Sequence, residues 1–255
     1  FKDKVQYCPG EVCDVKNNLH LFNQDGKFLR RIGKIGRGPG EYTNILSIDV
    51  DAKTKLIYVL NNSSQKLIAY DYQGNFISSP IPCTDKISFC IYNEKFYLHT
   101  PSNVMLLRNN PDEKIKNQLT EFNSKGDLLN SYHPIDENIS QNKFIETASF
   151  TKGKSNLFYH ISGDNKVYSI NQNGIKTEYC FELGNNSTNR AQTELQNISA
   201  SSEGVNINDI RLADKYIFLN FRSNNKPGLL FYDSKSFRNV NSDNGGTFKD
   251  DIDGT

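Results

Sequence analysis

A short motif that recurs along the chain limits the possible folds more than any other sequence feature. Each copy has a large apolar residue, a polar pair, a glycine and usually a second apolar residue. The copies are Phe22–Phe28, Tyr70–Phe76, Phe122–Leu128 and Ile170–Ile175, with a weaker fifth copy, without the glycine, at Tyr232–Phe237. The glycines Gly26, Gly74, Gly126 and Gly174 are 48, 52 and 48 residues apart. This spacing predicts one structural unit repeated along the chain.

Each motif copy predicts a tight β-hairpin. The Asn or Asp before the turn can accept local backbone hydrogen bonds, and Gly supplies the positive φ that such turns need. Runs rich in β-branched and aromatic residues precede the turns. These runs are residues 56–60 and 67–70, 96–98 and 104–107, 157–160 and 167–170, and 216–221 and 229–232. Each unit is therefore expected to contain about four strands.

Four strands in units of roughly 40–50 residues predict an all-β fold of the β-propeller class with four-stranded blades. The runs are apolar at consecutive positions, which predicts that neighbouring units cover both faces of the middle strands. A two-sheet sandwich is the alternative, but it gives no reason for the observed period. We interpret residues 1–255 as a single propeller domain. Its units lie near residues 1–42, 43–82, 83–136, 137–184 and 205–242.

Composition excludes several classes of partner. Hydrophobic residues make up 36% and aromatic residues 11% of the chain, which is polar but too aromatic for a disordered protein. Thirty Lys and Arg against 29 Asp and Glu give a net charge of +1, so no nucleic-acid partner is predicted. No apolar run approaches the roughly 18 residues of a membrane helix, so no transmembrane segment is predicted.

The chain termini and the cysteines give expectations about the extent of the domain and about disulfide bonds. The chain starts at Phe1 without a recognisable signal peptide, and we expect residues beyond both ends to belong to the same domain, unless five blades close the ring. The pairs Cys8/Cys13 and Cys83/Cys90 are close enough in sequence to form disulfides, and buried free thiols are the alternative. The cysteine spacing predicts no structural zinc site.

Three segments carry a resemblance to a known family. Residues 22–42, 45–72 and 250–254 resemble six-bladed, NHL-like β-propeller proteins of Bacteroidetes, which are typically exported and often lipoproteins. The resemblance implies six blades, of which about five are visible here. It also implies an extracytoplasmic location, in the periplasm or at the outer-membrane surface, with a lipid anchor and an outer-membrane complex as open options. No lipidated N-terminal Cys is present in this sequence.

Two regions supply candidate ligand contacts. The glycines between Gly33 and Tyr42 let backbone N–H groups approach an anion, although a tight connection between blades is the plainer interpretation. Such connections lie at a propeller rim, so Arg37, Glu41 and Tyr42 are predicted contacts. Polar residues at the predicted inner strands 45–50, 87–92, 144–150 and 205–212 should converge on the central channel. These candidates are Asn44, Glu146, Asn208, Asp209 and Arg211.

A basic stripe follows the first hairpin. Lys27, Arg30, Arg31, Lys34 and Arg37 lie within eleven residues of one another. Such a stripe is able to attract a phosphate or a carboxylated sugar. The alternative is a solvated outer edge, where charges discourage sheet-to-sheet aggregation.

No catalytic motif is visible, because the sequence has no GxSxG elbow and its four histidines occur singly. We therefore predict an exported, non-enzymatic binding module. It would hold a protein, peptide or glycan partner at rim loops or the channel mouth, as part of a cell-envelope assembly. The alternative is a metal-assisted hydrolase or lyase at the central channel, where oxygen ligands would suit calcium; no other cofactor is predicted. A mainly structural role in an assembly predicts an exposed apolar patch.

Overall fold

The structure is a computed structural model. It describes residues 3–7, 18–23, 25–62, 64–102, 117–134, 146–181, 205–213, 216–223, 226–232 and 237–239. These residues form β-strands joined by turns, and no helix occurs among them. The chain divides into two compact units, Phe1–Thr147 and Ala148–Thr255. Each unit is described separately below.

The first unit contains three antiparallel sheets and one short parallel pair of strands. Blade 1 comprises β1 (Asp3–Tyr7), β2 (Leu19–Asn23) and β3 (Phe28–Ile32), and the parallel pair β4 (Lys34–Ile35) and β5 (Glu41–Tyr42) follows it. Blade 2 comprises β6 (Ile45–Asp51), β7 (Leu56–Asn61), β8 (Lys66–Asp71) and β9 (Phe76–Pro82). Blade 3 comprises β10 (Ser88–Tyr92), β11 (Lys95–His99), β12 (Asn117–Phe122) and β13 (Leu128–Pro134).

The second unit contains two further four-stranded antiparallel sheets. Blade 4 comprises β14 (Ala148–Lys152), β15 (Leu157–Ile161), β16 (Lys166–Asn171) and β17 (Gly174–Cys180). Blade 5 comprises β18 (Val205–Ala213), β19 (Tyr216–Ser223), β20 (Lys226–Tyr232) and β21 (Phe237–Asn239). In every blade, strands consecutive in sequence are neighbours in the sheet. This repeated meander confirms the predicted β-propeller class with four-stranded blades, whereas six blades and a single domain stay predictions.

The motif turns form as their side chains predict. The side-chain oxygen of Asn23 accepts the Lys27 N–H at 2.8 Å, and that of Asp71 accepts the Asn75 N–H at 2.8 Å. In blade 3 the Asn123 side chain accepts the Asp127 N–H at 3.0 Å. These local bonds close each hairpin without help from the rest of the protein.

The middle strands are buried on both faces, as their apolar runs predict. In β7, Ile57 and Val59 pack with residues of blade 1, while Tyr58 and Leu60 pack with residues of blade 3. Leu60 is completely buried. Burial on two faces explains why this strand is apolar at consecutive positions rather than at alternate ones.

The predicted inner strands are the first strands of their blades. In the first unit β6 lies against β10, and the Asp49 carboxylate accepts the Ile91 N–H at 2.6 Å. In the second unit β14 lies against β18, and the Ser149 hydroxyl contacts the Ile210 carbonyl at 3.5 Å. Within each unit, the first strands of consecutive blades therefore approach one another, which is the arrangement that a channel lining requires.

The structure corrects one prediction and selects one of the two alternatives for Cys83 and Cys90. The third strand of blade 3 is Asn117–Phe122 rather than residues 104–107, because the strand that enters a hairpin must directly precede its turn; residues 104–107 lie outside the described residues. Cys83 and Cys90 are buried free thiols rather than a disulfide. The Cys83 thiol donates to the Ser64 carbonyl at 3.2 Å, and burial raises its pKa to about 12. The Cys8/Cys13 pair lies outside the described residues.

Glu121 in β12 is a buried carboxylate with three donors. It pairs with Lys95 at 2.6 Å and accepts hydrogen bonds from Asn130 at 2.8 Å and Tyr132 at 2.6 Å. Burial raises the pKa of Glu121, but hydrogen bonds from Lys95, Tyr132 and Asn130 outweigh burial and hold it below its usual value of 4.5. The ionised form is therefore favoured by folding.

Glu121→Gln is expected to lower the free energy of unfolding by about 1–3 kcal/mol at neutral pH. The wild-type advantage should be complete above pH 4.5 and shrink as the pH falls through the lower pKa of the folded protein, because the ionised carboxylate is the stabilising form. Urea unfolding from pH 7 to pH 3 measures the difference in unfolding free energy between the wild type and the variant. Glu94→Gln, at an exposed carboxylate, serves as the control. A wild-type advantage that stays constant over this range would contradict the assignment.

Candidate functional site

The loop Gly33–Thr43 joins blade 1 to blade 2, and Glu41 holds its conformation. The Glu41 carboxylate accepts the Gly38 N–H at 2.9 Å and pairs with Lys34 at 3.2 Å. These two groups, the Gly38 N–H first, lower the pKa of Glu41. A Cβ at Gly36 would overlap the Glu41 carboxylate, so a larger residue there would displace the Glu41 side chain from this position. The anion held by this glycine loop is its own carboxylate.

Two tyrosines support the loop from the core. Tyr42 is completely buried, and its hydroxyl donates to the Ile32 carbonyl at 3.0 Å and accepts the Leu19 N–H at 3.1 Å. The Tyr70 hydroxyl donates to the Gly40 carbonyl at 2.7 Å, and burial raises the pKa of Tyr70. Tyr42 thus connects β2, β3 and the loop, and its side chain does not reach the surface.

The surface of this loop is formed by Arg37 and Asn44. Both side chains are exposed, and Arg37 has no ion-pair partner among the residues that the structure describes. The backbone beside Asn44 is fixed, because the Asn61 side chain accepts the N–H groups of Thr43 at 3.1 Å and of Asn44 at 3.0 Å. The loop therefore presents a cation and an amide on an ordered backbone.

Glu146 lies in a buried polar cluster of blade 3. Its carboxylate accepts the Ser102 N–H at 3.1 Å and the Gln118 amide at 2.8 Å, and the residue is 7% exposed. Nearby in blade 3, the Lys86 ammonium donates a hydrogen bond to the Thr100 hydroxyl at 2.7 Å. Glu146 therefore holds together the end of β11 and the start of β12.

The three remaining candidates lie on β18 in the second unit. Arg211 pairs with Asp209 at 3.0 Å, and its guanidinium approaches the Phe150 carbonyl at 3.5 Å. Asn208 is exposed. These contacts join the first strands of blades 4 and 5.

The eight predicted ligand contacts thus lie in three separate groups, and the described residues do not bring them together in one site. Arg37, Glu41, Tyr42 and Asn44 share one loop, Glu146 lies in blade 3, and the third group lies on β18. Among the described residues, no group of three or more His, Cys, Asp or Glu side chains is placed to hold a metal ion. Ligand contact by these residues stays a prediction.

The outer strands carry exposed apolar residues that were not among the predicted site residues. Large exposed apolar residues recur as a pair that begins two residues after the turn glycine in blades 1, 2 and 3. We call this set the outer apolar row: Phe28, Leu29, Phe76, Ile77, Leu128 and Leu129, which are 39–57% exposed. The signal was present, because two apolar residues follow each of these turns. What could not be read from the sequence is that the second member remains exposed.

The repeated four-stranded meanders and the contacts between their first strands define a β-propeller protein. The family model of DUF4934, described as a domain of unknown function, matches residues 11–255. The chain therefore belongs to the DUF4934 family.

Solved structures with the same fold include two from Bacteroides. A Bacteroides fragilis protein provisionally described as exported is 16% identical, with a TM-score of 0.67, and the match covers 94% of this chain and 76% of that one. A DUF4221 member from Bacteroides vulgatus is 12% identical, with a TM-score of 0.52 and coverages of 88% and 73%. Virginiamycin B lyase from Staphylococcus aureus is 12% identical, with a TM-score of 0.50 and coverages of 93% and 74%. These likenesses show the fold alone.

A search of curated proteins produced no match. No membrane-spanning helix is present in the described part of the chain.

Proposed function

We propose that this chain is an exported, non-catalytic binding module that holds a protein partner within a cell-envelope assembly at the outer membrane. The outer apolar row is the observation that carries the proposal. The row leaves a pair of adjacent large apolar residues exposed on the outer strand of each of three blades, and grouped apolar surface is a feature of protein interfaces. The likeness to the Bacteroides fragilis protein that is provisionally described as exported supports an extracytoplasmic location.

In blades 1 and 2, ring packing within the blade explains why the first residue of each apolar pair is aromatic. It does not explain the second residue. Phe28 packs edge-on against Phe22 with ring centres 5.8 Å apart, and Phe76 packs against Tyr70 at 6.5 Å. The second residues, Leu29 and Ile77, remain about 40% exposed. The exposed part of these side chains is not used by the fold and is available to a partner.

Blade 4 shows that the repeat accepts a charge at the second position. Ile175 and Lys176 follow Gly174 where blades 1, 2 and 3 have two apolar residues, and Lys176 pairs with Glu178 at 2.9 Å. Since a lysine is compatible with this strand, three consecutive apolar pairs are not a requirement of the blade. An apolar protein surface complements such a row, because aromatic and aliphatic side chains form the centres of protein interfaces.

A photo-crosslinking amino acid placed at Ile77 in the exported protein tests the proposal in its native host. We expect one discrete protein adduct at position 77 and none at Lys125, an exposed residue of the blade 3 turn. The double variant Ile77→Lys/Leu129→Lys should abolish the adduct formed from position 29, while its melting temperature stays unchanged, because both side chains are exposed.

The same crosslinking amino acid placed at Arg37 tests whether the partner binds at the rim loop instead of at the outer apolar row. An adduct at position 37 and none at position 77 would overturn the outer strands as the interface and favour the rim. Equal labelling at 29, 77 and 125 would contradict a specific interface. A stoichiometric metal ion in the purified protein, measured by elemental analysis, would favour the hydrolase or lyase alternative.

A further inference from the structure

A groove of about 490 Å³ lies between blades 1 and 2, where the turn that follows β8 faces β3. Its lining includes Leu29 and Arg30 of β3, Lys55 before β7, and Tyr72 and Gln73 after β8. A groove of this volume accommodates a small organic ligand. It shares Leu29 with the outer apolar row, but its two cations distinguish it from that row and call for an anionic ligand.

The two cations of the groove keep donors available. Arg30 donates one N–H to the Gln73 carbonyl at 3.1 Å, which orients the guanidinium and leaves its other donors for a ligand. Lys55 is exposed and has no ion-pair partner within the described ranges. Its neighbour Lys53, in contrast, is paired with Glu94.

The carboxylate in the groove is bound within its own turn. One oxygen of Asp71 accepts the Asn75 N–H and the other accepts the Asn75 amide, each at 2.8 Å. Asn75, through its side chain first, lowers the pKa of Asp71. Asp71 therefore closes the hairpin, and it does not neutralise Arg30 or Lys55 by direct contact.

The repeat provides an internal comparison. Between blades 2 and 3, Ser78 stands at the position of Arg30, Glu94 at that of Lys55, and Ser124 at that of Tyr72. The residues that build the turns recur, since Gly126 matches Gly74 and Asn123 matches Asp71. The fold thus requires the turn residues but not the cations or the ring, which occur together in the groove between blades 1 and 2.

Lys55 also adopts an unfavourable backbone conformation. Its φ is +57°, in the left-handed region that favours Gly and Asn. A lysine at this turn position is not the residue that stability alone would choose. The conformation belongs to the turn position, since Glu94 at the corresponding position has φ +61°, and what distinguishes Lys55 is its positive charge.

From these observations we propose that the groove binds a carboxylated saccharide of one to three rings. Arg30 and Lys55 bind the carboxylate, since a guanidinium matches its two oxygens and an ammonium adds a second charge. Tyr72 packs in part against the core between blades 1 and 2, and the rest of its ring, which lines the groove, provides an apolar face for a sugar ring. The side chains of Gln73 and Thr54 bond to the sugar hydroxyls. A short groove lined by scattered hydroxyl, amide and aromatic groups favours a saccharide over an extended acidic peptide.

Calorimetric titration with trigalacturonic acid and a hyaluronan disaccharide tests the proposal at low salt. Their methyl esters are the matched neutral probes, and hexaglutamate and inorganic phosphate are the competing anions. We expect at least one acid to bind about tenfold more tightly than its ester. Arg30→Gln and Lys55→Asn should each weaken binding about tenfold, whereas Lys125→Ala should not change it. Lys55→Asn should not lower the melting temperature, because Asn tolerates the left-handed conformation.

Three results would overturn the proposal. The first is no saturable binding of either acid at millimolar concentration. The second is equal binding of acid and ester, or binding unaffected by both Arg30→Gln and Lys55→Asn. The third is tighter binding of hexaglutamate or phosphate through the same two residues, which would assign the groove to peptides or to an adventitious anion. None of these results affects the crosslinking test of the outer apolar row.

Discussion

Gly126→Ala is expected to lower the free energy of unfolding by about 2–5 kcal/mol, whereas Gly26→Ala costs only about 1–2 kcal/mol. Both glycines occupy the same position of the hairpin motif and have positive φ, +88° and +75°. A Cβ at Gly126 would lie 2.6 Å from the Pro80 carbonyl oxygen of blade 2, whereas a Cβ at Gly26 would meet nothing within 4 Å. The clash involves backbone, which cannot rotate out of the way as a side chain can.

Comparing Gly126→Ala with Gly26→Ala separates two causes of lost stability: the strain of a positive φ, which both variants share, and the clash between blades, which only Gly126→Ala has. Urea unfolding of both alanine variants measures the two losses in free energy, and Gly174→Ala serves as a second uncrowded control. A loss at Gly126 no larger than that at Gly26 would show that blade 3 does not pack this closely on Pro80.

Tyr42→Phe is expected to lower the free energy of unfolding by about 2–4 kcal/mol with no change in shape of the side chain. The Tyr42 hydroxyl bonds to the Leu19 N–H and the Ile32 carbonyl, and all three residues are completely buried. Removing one hydroxyl therefore leaves two buried backbone groups without this partner, and each such group costs about 1–3 kcal/mol.

The matched control is Tyr70→Phe. The Tyr70 hydroxyl makes one bond, to the Gly40 carbonyl in the more accessible loop, so its removal should cost about 1 kcal/mol. Urea unfolding compares the two variants. Equal losses would contradict the view that Tyr42 joins β2 and β3 to the loop.

The local part of the fold was predictable because its causes are local. A turn such as Asp71–Asn75 is closed by one side chain and by the positive φ of Gly74, and both are visible in a few residues. The apolar run Ile57–Leu60 indicated a strand covered on both faces, and it is. The first strands of the blades were likewise predictable from their position after each connection.

Predictions that depended on distance in space were less secure. Cys83 and Cys90 are seven residues apart, but the first follows β9 and the second lies in β10, and each is buried in its own surroundings. The third strand of blade 3 was placed too early, because an apolar run such as 104–107 is not itself evidence of pairing. Neither the partner of a strand nor that of a thiol is encoded by spacing alone.

The candidate site shows the same division between local and tertiary causes. The sequence by itself determined the turns, the strands and the position of the loop containing Arg37 and Glu41, because hydrogen bonds between near neighbours and backbone preference decide them. Only the tertiary structure decided that Glu41 faces its own loop, that Tyr42 is buried, and that Arg30 and Lys55 meet in one groove. These outcomes depend on which blade packs against which, and that packing joins residues too far apart in sequence for any local pattern to record.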